Sequence, residues 1–298
     1  MNSAAAKTTP SGYGEGEVGS RHPLAPVKDP MPPYATKSAP PVAPALLCGL
    51  ALTGCGGPEL QGTVVDPWAH PLEDVQVIVE GVAEDQVTDG QGHFSFEVEP
   101  GSTLNLMAGL DGYIKGSASV RIPRGKSVEM PSPSIVLYPD PESPGFYAVD
   151  ESGYARLEAS PVRSVGTELN SFTGLADIGA ETLPAPEPLR VVFATNLRRA
   201  DISRLDLRLT TVQFVDRRPI KDVYGETDVT VNLWIPTEDV PFDIIGLASS
   251  TDYLIQTRAP LKPGAYAFHI QSVLTDVDVH HLERMPREMR VAYPFQVE

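Results

Sequence analysis

A chain of 298 residues with 39 acidic against 23 basic side chains, a formal net charge of -16, repels phosphate backbones, and this disfavours a nucleic-acid partner. Thirty prolines and 25 glycines, with aromatics at 7%, predict short strands joined by many turns rather than long helices. Once a processed tail is subtracted, this length at 41% hydrophobic content is enough for two ordinary cores.

In chain order, residues 1–30 are rich in Pro, Ser and Gly and read as a disordered extension or a mis-assigned start. Met31 opens a signal peptide of ordinary length over residues 31–54, with Lys37 in its basic region. Its apolar core, Ala45 to Thr53, falls far short of the roughly 20 residues a membrane-spanning helix needs. Both cysteines, Cys48 and Cys55, lie in or at the end of this run, and a buried strand with two core cysteines is the alternative reading. Leu52-Thr53-Gly54-Cys55 resembles the bacterial lipobox. That resemblance implies acylation of the Cys55 thiol, cleavage just before it, and a lipid-membrane anchor of several acyl chains, each buried methylene contributing about 0.8 kcal/mol. Cys48 then leaves with the peptide, so the mature body holds no free thiol and thiol catalysis is excluded. Gly56 stands where an inner-membrane retention aspartate would, which points to a lipid-anchored outer-membrane protein, periplasmic or surface-facing.

From Glu59 to about Pro139 the pattern has period two. Val75, Val77 and Val79 form one strand face; Phe94, Phe96 and Val98 form another after the turn Asp89-Gly90-Gln91-Gly92; Leu104 with Leu106, Ala118 to Ile122, and Ile135 with Leu137 complete about seven short strands. Gly62-Thr63-Val64, Pro71-Leu72, Val75-Gln76-Val77, the run Thr88 to Phe96, Pro100-Gly101 and Asp111-Gly112-Tyr113 resemble, in order and spacing, carboxypeptidase regulatory-like domains. Asp74 and Thr103 depart from that pattern. The resemblance implies a transthyretin-like sandwich over 59–139 that is a non-catalytic module, and it assigns no functional residue.

The proline-dense stretch around Pro139 to Pro144 predicts a hinge. Beyond it, residues 145–298 read as a second, immunoglobulin-like β-sandwich, so the fold class is all-β, a signal segment followed by two sandwiches. Phe146 to Val149 and Tyr154 to Leu157 predict a hairpin, Leu205, Leu207 and Leu209 a strand, Val229, Val231 and Leu233 another. A helical turn is expected near His281 to Arg284, and the run Met289, Val291, Tyr293, Phe295 and Val297 closes the sheet.

The sequence carries no phosphate loop, HExxH, nucleophile elbow or CxxC. Asp276, Asp278 and His280 alternate along an extended segment and are the candidate metal ligands, against the plainer reading of a solvated loop. Asp85 and Asp89 flank a Gly-rich turn without the repeated acids of a calcium loop, so Asp89 is expected to cap its own backbone. Trp68, in a loop, is the candidate ligand platform; Trp234, in a strand, is expected at core or rim. The expected function is a non-catalytic, membrane-anchored binding or scaffolding module, not an enzyme, with no cofactor and an envelope protein or glycan as partner. The alternatives are a structural spacer, or a hydrolase pairing Glu151 with Asp276 or Asp278 in the second domain.

Overall fold

The computed structural model describes residues 57–298 apart from 125–126, 152, 167–169, 185–186, 223–224, 250, 276–279 and 287–288. Cys48, Cys55, Asp276 and Asp278 lie outside the described residues. Residues Gly54–Glu298 form one compact unit, and it is almost entirely β.

Among the described residues its first part holds eight strands: β1 (Glu59–Val65), β2 (Gln76–Val79), β3 (Gln86–Val87), β4 (His93–Glu97), β5 (Thr103–Gly109), β6 (Gly116–Arg121), β7 (Val128–Glu129) and β8 (Ile135–Val136). They make two sheets, one with β1 between antiparallel β4 and parallel β7 and β8, the other in the order β3-β2-β5-β6. The alternation read from the sequence is the alternation that folds: Val75, Val77, Val79, Phe94, Phe96, Val98, Leu104, Leu106, Ile135 and Leu137 are all buried in one core. Gly62 is paired with Phe94 on the neighbouring strand and lies under its ring, where any Cβ would overlap it, so this cross-strand pair requires glycine.

The second part runs β9 (Gly145–Val149), β10 (Tyr154–Leu157), β11 (Ser160–Gly166), β12 (Ser171–Leu175), β13 (Thr182–Leu183), β14 (Arg190–Ala194), helix α1 (Arg199–Leu205), β15 (Leu207–Asp222), β16 (Gly225–Asp239), β17 (Phe242–Gly246), β18 (Asp252–Thr257), β19 (Gly264–Ile270), a 3-10 turn at Leu282–Arg284 and β20 (Val291–Val297). A five-stranded sheet, β10-β9-β14-β18-β17, faces a seven-stranded one, β11-β12-β16-β15-β19-β20-β13. Phe146, Phe193, Phe268 and Phe295 lie in the core between them, with Phe146 stacked on Phe193 at 4.3 Å and on Phe268 at 5.1 Å. The larger sheet also curls on itself, because β11 pairs with β12 along most of its length and with β20 through Ser160 and Pro161. A second core of Val162, Leu175, Val212, Ala267 and Ala292 fills this curl. That is why β19 is buried on both faces rather than one: Tyr266 and Phe268 face the first core, Ala267 the second.

Leu205 is not the first residue of a strand. It closes helix α1, whose Ile202 is buried, and Asp206 in the left-handed conformation (φ 46, ψ 57) stops the helix before β15 begins at Leu207.

The expected hinge is a packed junction. Pro139 bridges to Tyr113, and the Asp140 N–H donates to the Gly112 carbonyl at 2.9 Å, which fixes the connection to the first sandwich. The Tyr147 hydroxyl donates to the Ser143 carbonyl at 2.8 Å and the Tyr154 hydroxyl to the Pro139 carbonyl at 2.9 Å, which fixes it to the second. Ile114 and Tyr138 pack with Tyr147, Val192, Ala194 and Leu254 in a shared apolar cluster. The prolines read from the sequence as an extended hinge run between two surfaces that bury each other.

Candidate functional site

Trp68 follows β1 in a turn organised by Asp66. One carboxylate oxygen of the buried Asp66 accepts the N–H groups of Trp68 and His70, each at 2.9 Å, and the other lies 2.9 Å from the His70 ring. The loop so fixed carries the indole across the junction, where its N–H donates to the Asp150 carbonyl at 2.6 Å and its ring meets Tyr154 edge-on at 6.0 Å. Trp68 is therefore first an anchor between the sandwiches. It also forms one wall of a cleft of about 230 Å³ shared with Glu151, Glu187, Pro188 and Arg190. Glu151 thus sits beside Trp68, while its postulated partners Asp276 and Asp278 lie outside the described residues.

The remaining sequence candidates are local. His280 approaches the Glu283 carboxylate at 3.2 Å across the 3-10 turn, and no group of three metal-ligating side chains occurs among the described residues. Asp89 caps its own turn: one oxygen accepts the N–H groups of Gln91 and His93, each at 2.9 Å, and these donors, His93 foremost, hold its carboxyl below the usual range. Asp85 accepts from the Gln76 amide at 3.0 Å. Trp234 is half-buried against the core of the curled sheet, with the exposed Phe214 ring 5.6 Å away on the neighbouring strand.

Two further openings have no counterpart in the sequence reading. The first is an apolar cleft of about 280 Å³ in the second sandwich, walled by Phe146 of β9, Phe193 of β14 and Tyr293 of β20, with Leu205 of α1 beside them and Met289, 41% exposed, also on its lining. The walls are aromatic faces in mutual contact, Phe146 lying 4.6 Å from Tyr293. Its polar side chains are Thr195 and the buried His269. His269 has both ring nitrogens engaged, Nδ1 with the Ile270 carbonyl at 3.0 Å and Nε2 with the Thr210 hydroxyl at 3.2 Å. Burial pushes its imidazole below the ordinary range and holds it neutral. No local motif announces this cleft, since its walls come from three strands far apart in the chain and only their register brings them together.

The second is a polar groove of about 530 Å³ on the first sandwich, lined by Gln61 and Thr63 of β1, His93 and Ser95 of β4, Gln86 and Val87 of β3, and Glu129 of β7. The pairings Gln61 with Ser95 and Thr63 with His93 put these four side chains on one outer face. The loop at Ser132 and Ser134 closes one side: the Thr63 N–H donates to the Ser134 hydroxyl at 3.0 Å and the Ser134 N–H to the Thr63 carbonyl at 3.1 Å. The Thr63 hydroxyl oxygen is buried and has no hydrogen-bond partner among the described residues.

No protein-family model matches the chain, and no curated protein matches it. Among solved structures it is similar to a protein from Bacteroides uniformis described provisionally as a carbohydrate-binding protein, at 9% identity over 71% of this chain and 88% of that one, with a TM-score of 0.18.

Proposed function

We propose that the protein is a lipid-anchored protein of the bacterial envelope, tethered to the outer membrane through acylated Cys55, and that its two sandwiches act as a non-catalytic binding module. The observation that carries the binding role is the apolar cleft of the second sandwich. Over the buried Phe146 and Phe193, half-buried Tyr293 and Met289, 41% exposed, leave apolar surface open at the mouth of the cleft, although covering apolar surface stabilises a fold by about 25 cal/mol per Å². Such a cleft takes an apolar ring or short chain, from a small molecule or from the side chains of an envelope partner. Its polar groups suit holding rather than transforming a ligand, since both nitrogens of neutral His269 are engaged by the protein itself.

The tether is supported by the lipobox resemblance and by how soon the fold follows it: β1 begins at Glu59, four residues beyond Cys55. The two-sheet arrangement of residues 59–139 supports the likeness to carboxypeptidase regulatory-like modules, whose place beside other envelope domains fits a scaffolding contribution.

Two measurements test this reading. Nile red titrated into the untethered Cys55→Ala chain is expected to give saturable fluorescence that falls at least about tenfold in affinity in Thr195→Trp, whose indole fills the cleft. Equal binding by both chains rejects the cleft. Metabolic labelling with an alkyne fatty acid is expected to mark the native chain and not Cys55→Ala; label on both rejects the anchor.

A further inference from the structure

We infer that the polar groove of the first sandwich is a second binding site, for a neutral polyhydroxylated ligand of the sugar class. The groove is separate from the apolar cleft and does not depend on it.

Four observations lead there. The first is the buried Thr63 hydroxyl, without a partner among the described residues that surround it. Leaving such a group unpaired is unfavourable, whereas valine would fill the same space in a strand at no such cost, so the hydroxyl at this position calls for a ligand group that completes it. The second is the mix of hydrogen-bonding types: the amides of Gln61 and Gln86 both donate and accept, Ser95 already donates to Glu59, and the Glu129 carboxylate only accepts. Hydroxyl groups, which donate and accept at one atom, match such a lining.

The third is charge. Asp89 and Glu129 line the groove, and no lysine or arginine does so among the described residues, which opposes phosphate, sulfate and carboxylate ligands. A cation is no better served. Asp89 is spent capping its own turn, one oxygen being taken up by the N–H groups of Gln91 and His93, and no group of three metal-ligating side chains occurs among the described residues. The fourth is an apolar wall. Val87 is 58% exposed at the groove's edge and offers a surface to the C–H face of a ring whose hydroxyls point at the polar floor. The volume lies within the roughly 300–1,000 Å³ usual for small-ligand sites.

The test is saturation-transfer NMR on the full chain with three neutral probes at millimolar concentration: maltotriose, cellobiose and N,N′-diacetylchitobiose. Transfer to at least one is expected, with affinity falling about tenfold in Thr63→Val while the thermal midpoint of that variant rises, because the substitution removes an unsatisfied hydroxyl. The rise in midpoint shows that the variant folds, so its loss of binding belongs to the site. Transfer to none of the probes overturns the proposal, as does undiminished binding by Thr63→Val. Nile red binding, read on the same preparations, succeeds or fails independently and so separates this site from the apolar cleft.

Discussion

His269 shows how much one buried residue sets. It is 4% exposed in β19, and desolvation holds its imidazole below the usual range, against the pull of the Ile270 carbonyl and of Asp239 and Asp206, with Arg208 acting in the same direction as burial. The folded chain therefore refuses a proton that the unfolded chain accepts near pH 6.5. Stability from this residue is complete above that pH and is lost as the pH falls through the window below it. The urea midpoint is expected to drop between about pH 7 and about pH 5, and His269→Gln, which keeps a polar contact for Thr210, is expected to flatten that dependence. Asp89, also held low, stabilises fully above its ordinary value of 3.8 and loses that contribution only as the pH falls below it, so the two effects separate. The environment of His269 could not be read from the sequence. His269 lies among alternating residues of a strand, and only the second core behind β19 explains why it is buried. Asp89, by contrast, was legible, because its bonds run to residues two and four positions on.

At the level of elements, the curled sheet depends on a narrow seam. β12 meets β16 at a single paired position, Leu175 with Trp234, and next to it Gly174 lies so close that a Cβ would fall inside contact of the Trp234 carbonyl oxygen. Gly174→Ala is expected to destabilise by about 2 kcal/mol in urea unfolding, whereas Gly153→Ala, in a turn with nothing within 4 Å, stays near neutral. The strands themselves were largely legible, since a half-buried sheet imposes period two: Val75 to Val79 and Phe94 to Val98 follow it fully. It failed where a strand has no solvent face, as in β14, whose Val191 and Phe193 pack into the second sandwich and whose Val192 and Ala194 pack into the junction cluster. It also failed at Leu205, where apolar spacing of two crossed a helix end marked only by a left-handed aspartate. Bulges in β15–β16 at Thr210/Val212 and Val215/Arg217 likewise shift register without a sequence mark beyond Asn232, which takes a positive φ.

For the whole molecule, the junction decides whether the sandwiches behave as one body or two. Trp68, Tyr138, Tyr147 and Tyr154 tie them through hydrogen bonds and a shared apolar cluster, so calorimetry is expected to show one cooperative transition. Trp68→Ala removes the indole and its bond to Asp150 at an expected cost of about 2 kcal/mol and is expected to broaden or split that transition; an unchanged single peak at an unchanged midpoint excludes the anchor role. The sequence announced two cores and a proline-rich connection but could not show their docking, because proline favours extended backbone equally in a free spacer and in a packed seam. The placement of β1 has a mechanical consequence. The chain preceding Gly57 leads directly into the central strand of its sheet, paired with β4 on one side and with β7 and β8 on the other. A pull along that leading segment loads the ladders on both edges of β1 in shear, where an edge strand would be held by one ladder alone. The first sandwich thus meets such a pull with a strand that has partners on both of its edges.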